Sequence, residues 1–322
     1  MEFRIGIIGA GAHGERYLRH GLRDVPGMTV TAVCRRDRRA GAKLAAHYAV
    51  RYLPEAPDVV AAPDVDGVVV CTPPSSHGGL AASVMAAGKP LLLEKPMTGT
   101  LGEAEHLAAL DTGAAAPLFL GQSLRWNPVI LKARELWPRL GRVHLVRLAQ
   151  RLAPTTLPWQ RDPAQTVGGS VLLTGVHLFD LARFLTGREF ARVDSRHWQV
   201  AHPVVEDFFL ARAELDDGCQ VSLEVSKYTD SRAQWLEAVG EHGQLWADYL
   251  TGGLVLRQGR SAERFDVDAT VPTLPAMLRD WLACVTAGAR PPVGALDGLA
   301  TLRVVDACYR SAAAGAAVSL DA

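Results

Sequence analysis

The sequence predicts an α/β domain with a doubly wound parallel sheet, followed by an α+β domain with a large, open, mostly antiparallel sheet. The N-terminal third alternates between apolar, β-prone runs and helix-like segments, which is typical of parallel sheets with right-handed crossovers. Strand-like stretches separated by turns dominate between Val193 and Val267, as in an antiparallel meander. The length of 322 residues also suits two domains better than one core.

The apolar runs of the first domain do not alternate with polar residues. Such runs are typical of strands whose two faces are both covered by helices. Each run is followed by a segment with helical patterning. We predict strands at Phe3–Ile8, Met28–Cys34, Asp66–Thr72 and Pro90–Leu93, and helices at Gly14–Gly21, Arg38–Tyr48, Gly79–Ala87 and Leu101–Ala109.

The patterning changes near Gly121, so we expect one domain over residues 1–122 and a second over residues 123–322. In the second domain, the alternation of Arg142–Arg151 suits a strand with one buried face, and signals such as Asp217-Gly218 indicate turns between later strands. The helices predicted here are Pro128–Trp137, a segment from Gly169 through Leu185, Ala276–Ala287 and Leu296–Ala314.

Composition and charge narrow the classes of function. The formal net charge is zero, so neither nucleic acid nor an anionic membrane surface is indicated as a partner. The five cysteines show no C-x-x-C pair and no metal-ligand spacing, and no H-E-x-x-H zinc motif occurs, so we propose no metal. The apolar N-terminal run is too short for a membrane span and lacks a cleavage site. We therefore expect a cytoplasmic protein.

A glycine-rich turn follows the first predicted strand directly. Gly9-Ala10-Gly11-Ala12-His13-Gly14 reads G-x-G-x-x-G between a strand and a helix, the context in which this pattern is specific for dinucleotides. Side chains at Gly9 or Gly11 would block the tight turn and the approach of a pyrophosphate, to which the helix N-terminus offers N–H groups. His13 is placed either against the pyrophosphate or in solvent. The alternative interpretation is a glycine-rich turn without a ligand.

The end of the second predicted strand distinguishes NAD from NADP. A carboxylate here would hold the ribose 2′-hydroxyl of NAD, but the chain reads Cys34-Arg35-Arg36-Asp37. Arginine can clamp a 2′-phosphate, so Arg35 and Arg36 favour NADP over NAD. Two alternatives remain: the arginines are simply solvated, or Asp37 turns inward and serves NAD.

Two further motifs follow the third and fourth predicted strands. Thr72-Pro73-Pro74-Ser75-Ser76-His77 and Glu94-Lys95-Pro96-Met97, together with the glycine-rich turn, closely resemble the Gfo/Idh/MocA family of oxidoreductases. The resemblance continues through Arg125-Trp126-Asn127-Pro128 and Gly175-Val176-His177-Leu178-Phe179-Asp180 to the C-terminal helix, and covers essentially the whole chain. It implies an NAD(P)-dependent enzyme acting on CH–OH groups of sugars, inositols or related polyols. It also implies a homodimer or homotetramer formed through the C-terminal sheet.

The resemblance assigns catalysis to Lys95 and His177, which in such enzymes flank the substrate carbon over the nicotinamide. Lys95 would hydrogen-bond the reacting oxygen, and His177 would exchange the hydroxyl proton as hydride moves. The alternatives are a surface lysine and a histidine bonded to Asp180 one turn on. Beside the glycine-rich turn, the cofactor residues are Thr72, Pro73, Pro74, His77, Glu94 and Lys95.

One position departs from the family pattern. Family dehydrogenases commonly carry an aspartate four residues before the histidine, where this chain has Leu173 followed by Thr174. Either Thr174 substitutes weakly for the carboxylate, or alcohol oxidation is impaired, or substrate hydroxyls orient the histidine. The departure motivates a second hypothesis, a non-catalytic NAD(P)-binding regulator. A third is an enzyme that uses the nicotinamide transiently in a net hydrolysis or elimination of a glycoside.

Aromatic faces combined with amide and charged groups suit a polyhydroxylated ring. We therefore predict a set of substrate contacts in the loops and strand ends that face the nicotinamide, each equally open to a structural role. The set is Arg125, Trp126, Asn127, Trp159, Arg161, Asp162, Thr174 and His177. Glu206-Asp207, at the start of a strand, is predicted to be scaffold.

Overall fold

A computed structural model describes residues 2–114 and 116–320 of the chain. The chain divides into two compact units. The first comprises Met1–Gln122 with Leu274–Leu299, and the second Ser123–Thr273 with Ala300–Ala322. The second domain was expected to span residues 123–322, but the segment Leu274–Leu299 belongs to the first unit.

The first unit is built on a six-stranded sheet whose neighbouring strands all run parallel. Its strands are β1 Phe3–Ile8, β2 Met28–Cys34, β3 Arg51–Tyr52, β4 Gly67–Val70, β5 Leu91–Glu94 and β6 Phe119–Gly121. Its order, β3-β2-β1-β4-β5-β6, reverses direction between β1 and β4. Ligands of such sheets bind at the carboxyl ends of the strands, where the order reverses.

Helices connect these strands, and the predicted doubly wound class is confirmed. They are α1 Ala12–Arg23, α2 Arg38–Tyr48, α3 Ala56–Ala61, α4 His77–Ala86 and α5 Leu101–Asp111, with a 3₁₀ turn at Pro74–Ser76. The central strands are buried throughout β4 and β5, as the unalternating apolar runs predict. The prediction missed β3, α3 and β6 because such short elements carry too little periodicity to detect.

The second unit is built on a nine-stranded sheet with the order β14-β13-β12-β11-β7-β10-β9-β8-β15. Its strands are β7 Val143–Arg151, β8 Phe190–Trp198, β9 Phe208–Leu215, β10 Gln220–Ser226, β11 Ala233–Gly240, β12 Gly243–Asp248, β13 Gly253–Gln258, β14 Ser261–Asp266 and β15 Val318–Ser319. β7 and β10 run parallel, and the other pairs in this order run antiparallel. The prediction of a large, mostly antiparallel sheet is confirmed.

Helical segments complete both units. They are α6 Pro128–Leu136, α7 Pro163–Thr166, α8 Val176–Thr186, α9 Thr273–Ala287 and α10 Ala295–Ala314, with 3₁₀ turns at Ser123–Trp126, Trp137–Leu140 and Pro158–Arg161 and a π-helical turn at Val171–Gly175. The segment after Thr273 returns to the first unit because Trp281 packs edge-on against Phe3 at 5.5 Å and Leu120 donates a backbone hydrogen bond to Val293. Within the described ranges, no helix is both long and apolar enough to cross a membrane.

Candidate active site

The glycine-rich turn lies where β1 and β4 separate, at the carboxyl edge of the parallel sheet. Gly9 has φ +96°, and a Cβ atom there would stand 2.5 Å from the carbonyl oxygen of Cys71. A Cβ atom on Gly14 would stand 2.3 Å from the carbonyl oxygen of Gly9. Both positions therefore require glycine, the first for its backbone conformation and both for close approach.

Gly11 plays a different part in the same turn, as the N-cap residue of α1. In the part of the chain that the structure describes, no atom beyond the adjoining backbone lies within 4 Å of where a Cβ atom on Gly11 would stand. The first N–H groups of a helix have no acceptor within it, so those of Ala12 and His13 border this open space. A pyrophosphate fits such a cradle, because N–H groups and the positive end of the helix dipole both favour an anion.

The end of β2 brings a guanidinium close to this turn. Arg35 Nη1 donates to the carbonyl oxygen of Ala10 at 3.4 Å, and the Arg35 carbonyl accepts from the hydroxyl of Tyr52. Arg36 is exposed. Asp37 caps α2, where its Oδ1 accepts from the backbone N–H of Ala40 at 2.9 Å. The carboxylate considered as an NAD ligand is thus used by the fold.

A buried carboxylate ties α1 to the end of β5. Glu94 Oε1 accepts from the Tyr17 hydroxyl at 2.5 Å and lies 2.8 Å from His13 Nε2, while Oε2 accepts from the Lys95 N–H at 3.0 Å. Burial acts to raise the pKa of Glu94, but His13, Lys95 and Tyr17 outweigh it and lower this pKa to about 2. The polar groups of His13 and Glu94 therefore bind each other and position the glycine-rich turn beside Lys95.

We expect Glu94→Gln to destabilise the protein in a pH-dependent manner. The folded pKa of about 2 lies below the ordinary value of 4.5. The ionised carboxylate therefore contributes its full stability above pH 4.5 and loses it as the pH falls towards 2, a contribution on the order of 3 kcal/mol. Urea unfolding of both proteins should show that the difference in their free energies of unfolding becomes smaller as the pH falls from 7 to 3. A difference that does not change with pH contradicts the stabilising role of the ionised Glu94. So does an equally large difference in the exposed control variant Glu105→Gln.

The loops after β4 and β5 are joined by His77, which is 1% exposed. Its Nδ1 lies 2.7 Å from the carbonyl oxygen of Pro96, and its Nε2 lies 2.8 Å from that of Thr72. Both ring nitrogens thus face the backbone. His77 was predicted as a cofactor-binding residue, and the structure shows both of its ring nitrogens beside backbone carbonyls, where they position the two loops. Pro73 and Pro74 lie in the loop after β4, between Thr72 and His77.

Lys95 directly follows β5 and is half-buried. The Lys95–Pro96 peptide bond is cis. Burial lowers the pKa of the Lys95 ammonium, against the opposing effect of the Glu94 carboxylate. A lysine with a lowered pKa in such a position is typical of functional sites, since it exchanges a proton more readily near neutral pH.

His177 lies in the second unit, as the second residue of α8, and is half-buried. The π-helical turn Val171–Gly175 leads directly into this helix. Such turns occur frequently at functional sites, where they displace side chains from regular helical positions. Leu173 and Thr174 within the turn are 7% and 4% exposed. An apolar side chain therefore occupies the position where the family pattern expects a carboxylate.

Asp180, one turn after His177, forms a buried ion pair with Arg125. Arg125 Nε donates to Oδ2 at 2.8 Å and Nη2 to Oδ1 at 2.6 Å, and the two side chains are 8% and 2% exposed. The guanidinium also lies 5.1 Å from the ring of Phe184. Arg125 was predicted to contact substrate, and in the structure its charge is paired with that of Asp180 within the fold.

Asn127, also predicted to contact substrate, has its amide group used within the fold. Its Oδ1 accepts from the backbone N–H groups of Val129 and Ile130 and so caps α6, and its Nδ2 donates to the carbonyl oxygen of Tyr249. Trp126 is 9% exposed and packs in the core. The run that the sequence presents as a ligand-binding motif is therefore structural at these positions.

The other predicted substrate residues lie near the 3₁₀ turn Pro158–Arg161. Trp159 and Asp162 are half-buried and Arg161 is exposed, so they remain candidates. Glu206-Asp207 is scaffold, as predicted, because the two carboxylates accept from backbone N–H groups. The described residues include no cluster of three or more His, Cys, Asp or Glu side chains that could hold a metal ion.

The sequence reasoning missed Tyr17, whose hydroxyl holds the Glu94 carboxylate. A local signal existed, because Tyr17 lies four residues after His13 and such pairs share a helix face. Their rings meet edge-on at 5.5 Å. Nothing in the local sequence points to Glu94 as the shared partner, which is 77 residues from Tyr17.

Comparison with known proteins gives matches over both units. A model described as an oxidoreductase family with an NAD-binding Rossmann fold matches residues 3–121, and the GFO/IDH/MocA C-terminal domain model matches residues 131–246. Inositol 2-dehydrogenase 2 of Saccharopolyspora erythraea is 30% identical, over 100% of this chain and 96% of that protein. D-apiose dehydrogenase of Paraburkholderia graminis is 28% identical, over 99% and 90%. The crystal structure of GenD2 from gentamicin A biosynthesis in complex with NAD is 27% identical, with a TM-score of 0.90 over 100% and 97% of the two chains.

Proposed function

Because this chain belongs to the Gfo/Idh/MocA family of oxidoreductases, we propose that it transfers a hydride between a nicotinamide dinucleotide and a CH–OH group of a sugar, inositol or related polyol. The observation that carries the proposal is the cradle at Gly11, where open space meets the N-terminus of α1. Relatives named as inositol and D-apiose dehydrogenases support a polyhydroxylated substrate.

Lys95 and His177 carry the proton chemistry in this proposal. When bound, the nicotinamide supplies or accepts the hydride. Lys95 donates a hydrogen bond to the reacting oxygen, and His177 takes or returns the hydroxyl proton. Thr174 provides a weak hydrogen-bonding substitute for the carboxylate that Leu173 replaces. The lowered pKa of Lys95 supports its role, since its proton is less tightly held than that of an exposed lysine.

We further propose that NADP is preferred over NAD. The guanidinium of Arg35 beside the glycine-rich turn and the exposed Arg36 at the same strand end support a clamp for the 2′-phosphate. The use of Asp37 as a helix cap argues against a carboxylate on the ribose. GenD2 was solved with NAD, so the preference rests on residues of this chain.

Fluorescence titration of the purified protein with NADPH and NADH tests the cofactor assignment. We expect NADPH to bind at least about 10-fold more tightly. Arg36→Ala should weaken NADPH binding by about 10- to 100-fold, the worth of one charge-assisted contact, with little effect on NADH. Arg39→Ala, exposed on α2, is the matched control. A preference for NADH overturns the NADP assignment, and failure to bind either form overturns the dinucleotide site.

The reaction itself is tested by following the absorbance of reduced cofactor with a panel of inositols, pentoses and hexoses. Turnover of a polyol or ketose supports the proposal, and cofactor binding without turnover across the panel argues for the regulator. The second unit also presents exposed apolar side chains on its sheet, namely Trp198, Leu210 and Trp246. They support a homodimer or homotetramer formed through this face.

A further inference from the structure

A small pocket lies within the second unit, beside the turn that leads to His177. Leu173, one helical turn before His177, forms part of its wall. Most of the other groups in the wall are polar. They include Gln160, Ser170, His202, Glu206 and Lys227.

Two buried polar atoms in this wall have no hydrogen-bond partner among the residues that the structure describes, namely Ser170 Oγ and His202 Nε2. Ser170 is 1% exposed. Its backbone N–H donates to the carbonyl oxygen of Glu206 at 2.8 Å, so the hydroxyl alone is left over. Folded proteins retain few such groups, because an unpaired buried polar atom is destabilising. Both residues line the same small pocket, which has room for one small polar group to pair with them.

The ring of His202 is a hydrogen-bond donor towards the pocket. Its Nδ1 accepts from the backbone N–H groups of Val204 and Val205, both at 3.2 Å. Burial lowers the pKa of His202 below its ordinary value, with Asp207 and the backbone of Gln160 opposing the effect and Lys227 and Arg161 reinforcing it. In a neutral imidazole whose Nδ1 accepts, Nε2 carries the hydrogen.

The charges around the pocket favour a neutral ligand. The carboxylate of Glu206 accepts from the N–H groups of Gly169 and Val171 and from the Tyr309 hydroxyl, and Asp207 accepts from three backbone N–H groups. Lys227 is the cation in this wall, and its Nζ lies 3.4 Å from Gln160 Oε1. The wall thus carries two carboxylates and one ammonium, so a further carboxylate would meet repulsion that a hydroxyl does not.

We propose that this pocket binds a hydroxyl group of the substrate remote from the reacting carbon, through His202 Nε2–H and Ser170 Oγ, and thereby selects neutral polyols over sugar acids. The inference rests on the proposed function and deepens it. A sugar hydroxyl accepts from the imidazole N–H and exchanges a second hydrogen bond with the serine, which satisfies both orphan atoms at once. The apolar wall at Leu173 suits the ring carbons beside that hydroxyl.

Calorimetric titration of the NADPH-saturated protein with myo-inositol, D-glucose and D-glucuronate tests this pocket without requiring turnover. Ser170→Ala and His202→Asn each remove one donor, and the asparagine oxygen can still accept from the N–H groups of Val204 and Val205. For the neutral probe that binds wild type more tightly, we expect Kd to rise about 5- to 10-fold in each variant, the worth of one hydrogen bond. The controls Ser261→Ala and His144→Asn, both exposed, should leave Kd unchanged.

Three further readouts separate binding from folding. The variants should raise KM and leave kcat near that of wild type, because a contact remote from the reacting carbon contributes equally to ground and transition states. D-glucuronate should bind more weakly than D-glucose. The Tm of Ser170→Ala should stay level or rise by about 2–4 °C, since an unpaired hydroxyl is removed; a purely structural serine would lower it.

The inference is overturned if both variants bind the probes like wild type, if D-glucuronate binds more tightly than D-glucose, or if no probe binds. Its failure is distinguishable from that of the proposed function. If the enzyme turns over a polyol and neither variant changes that turnover, only the inference about the pocket is overturned. Probe binding that responds to the variants, without hydride transfer in any assay, overturns the proposed reaction and supports the pocket.

Discussion

Lys95→Ala is expected to lower the rate of hydride transfer by about 10²- to 10⁴-fold, the usual contribution of a positioned acid–base group. The ammonium is half-buried, directly after β5, and its pKa is lowered mainly by burial. In the proposed reaction, its loss removes the donor to the reacting oxygen. The glycine-rich turn is held through the Glu94 side chain, so NADPH affinity should change only slightly.

Steady-state rates and NADPH titrations of the same preparations check this expectation. Lys43→Ala, on the exposed face of α2, is the matched control and should behave like wild type. A Lys95→Ala protein that changes only a binding constant would support the non-catalytic regulator. Net substrate conversion without a net change in reduced cofactor would instead favour transient use of the nicotinamide.

Asp180→Ala is expected to destabilise the second unit by about 3–5 kcal/mol, the usual effect of removing one partner of a buried ion pair. Arg125 would keep its charge in a site where the side chain is 8% exposed. The neighbouring ring of Phe184, 5.1 Å away, compensates only weakly for a lost carboxylate. We therefore expect a strong loss of folded protein.

Urea unfolding of three proteins distinguishes a lost charge pair from lost packing. Arg125→Met combined with Asp180→Leu should recover most of the stability, because replacing a whole buried pair with apolar groups is often nearly neutral. If the free energy of unfolding of Asp180→Ala lies within about 1 kcal/mol of the wild-type value, the ion pair contributes no more to stability than a surface pair does. If the double variant is as unstable as Asp180→Ala, the destabilisation comes from lost packing and not from the unpaired charge.

Sequence reasoning was accurate where the signal is local. β1, β2 and α2 have the bounds that their apolar runs and helical patterning predict. The glycine-rich turn is also a local feature, since the backbone conformation of Gly9 and the close packing of Gly14 permit no side chain. Turn-separated strand-like stretches predicted an antiparallel sheet in the second unit, and the family resemblance added that this sheet is large and open.

Motifs alone did not show which polar residues find a partner elsewhere in the chain. Arg125 and Asn127 belong to a run that suits sugar binding, but one neutralises Asp180 and the other caps α6. A residue type specifies which hydrogen bonds are possible, and only the fold specifies which are made. The same reason hid Ser170 and His202, ordinary residues whose unpaired atoms matter only because they border one pocket.

The sequence by itself determined most of the strands and helices in the first unit, the glycine-rich turn and the kinship of the chain, because periodicity, glycine requirements and motif spacing are all encoded within short stretches. Tertiary structure alone decided which charges are used by the fold, as in the pairing of Arg125 with Asp180 across 55 residues. It also decided that the segment after Thr273 returns to the first unit. These outcomes depend on burial and on partners distant in the chain, which no local pattern records.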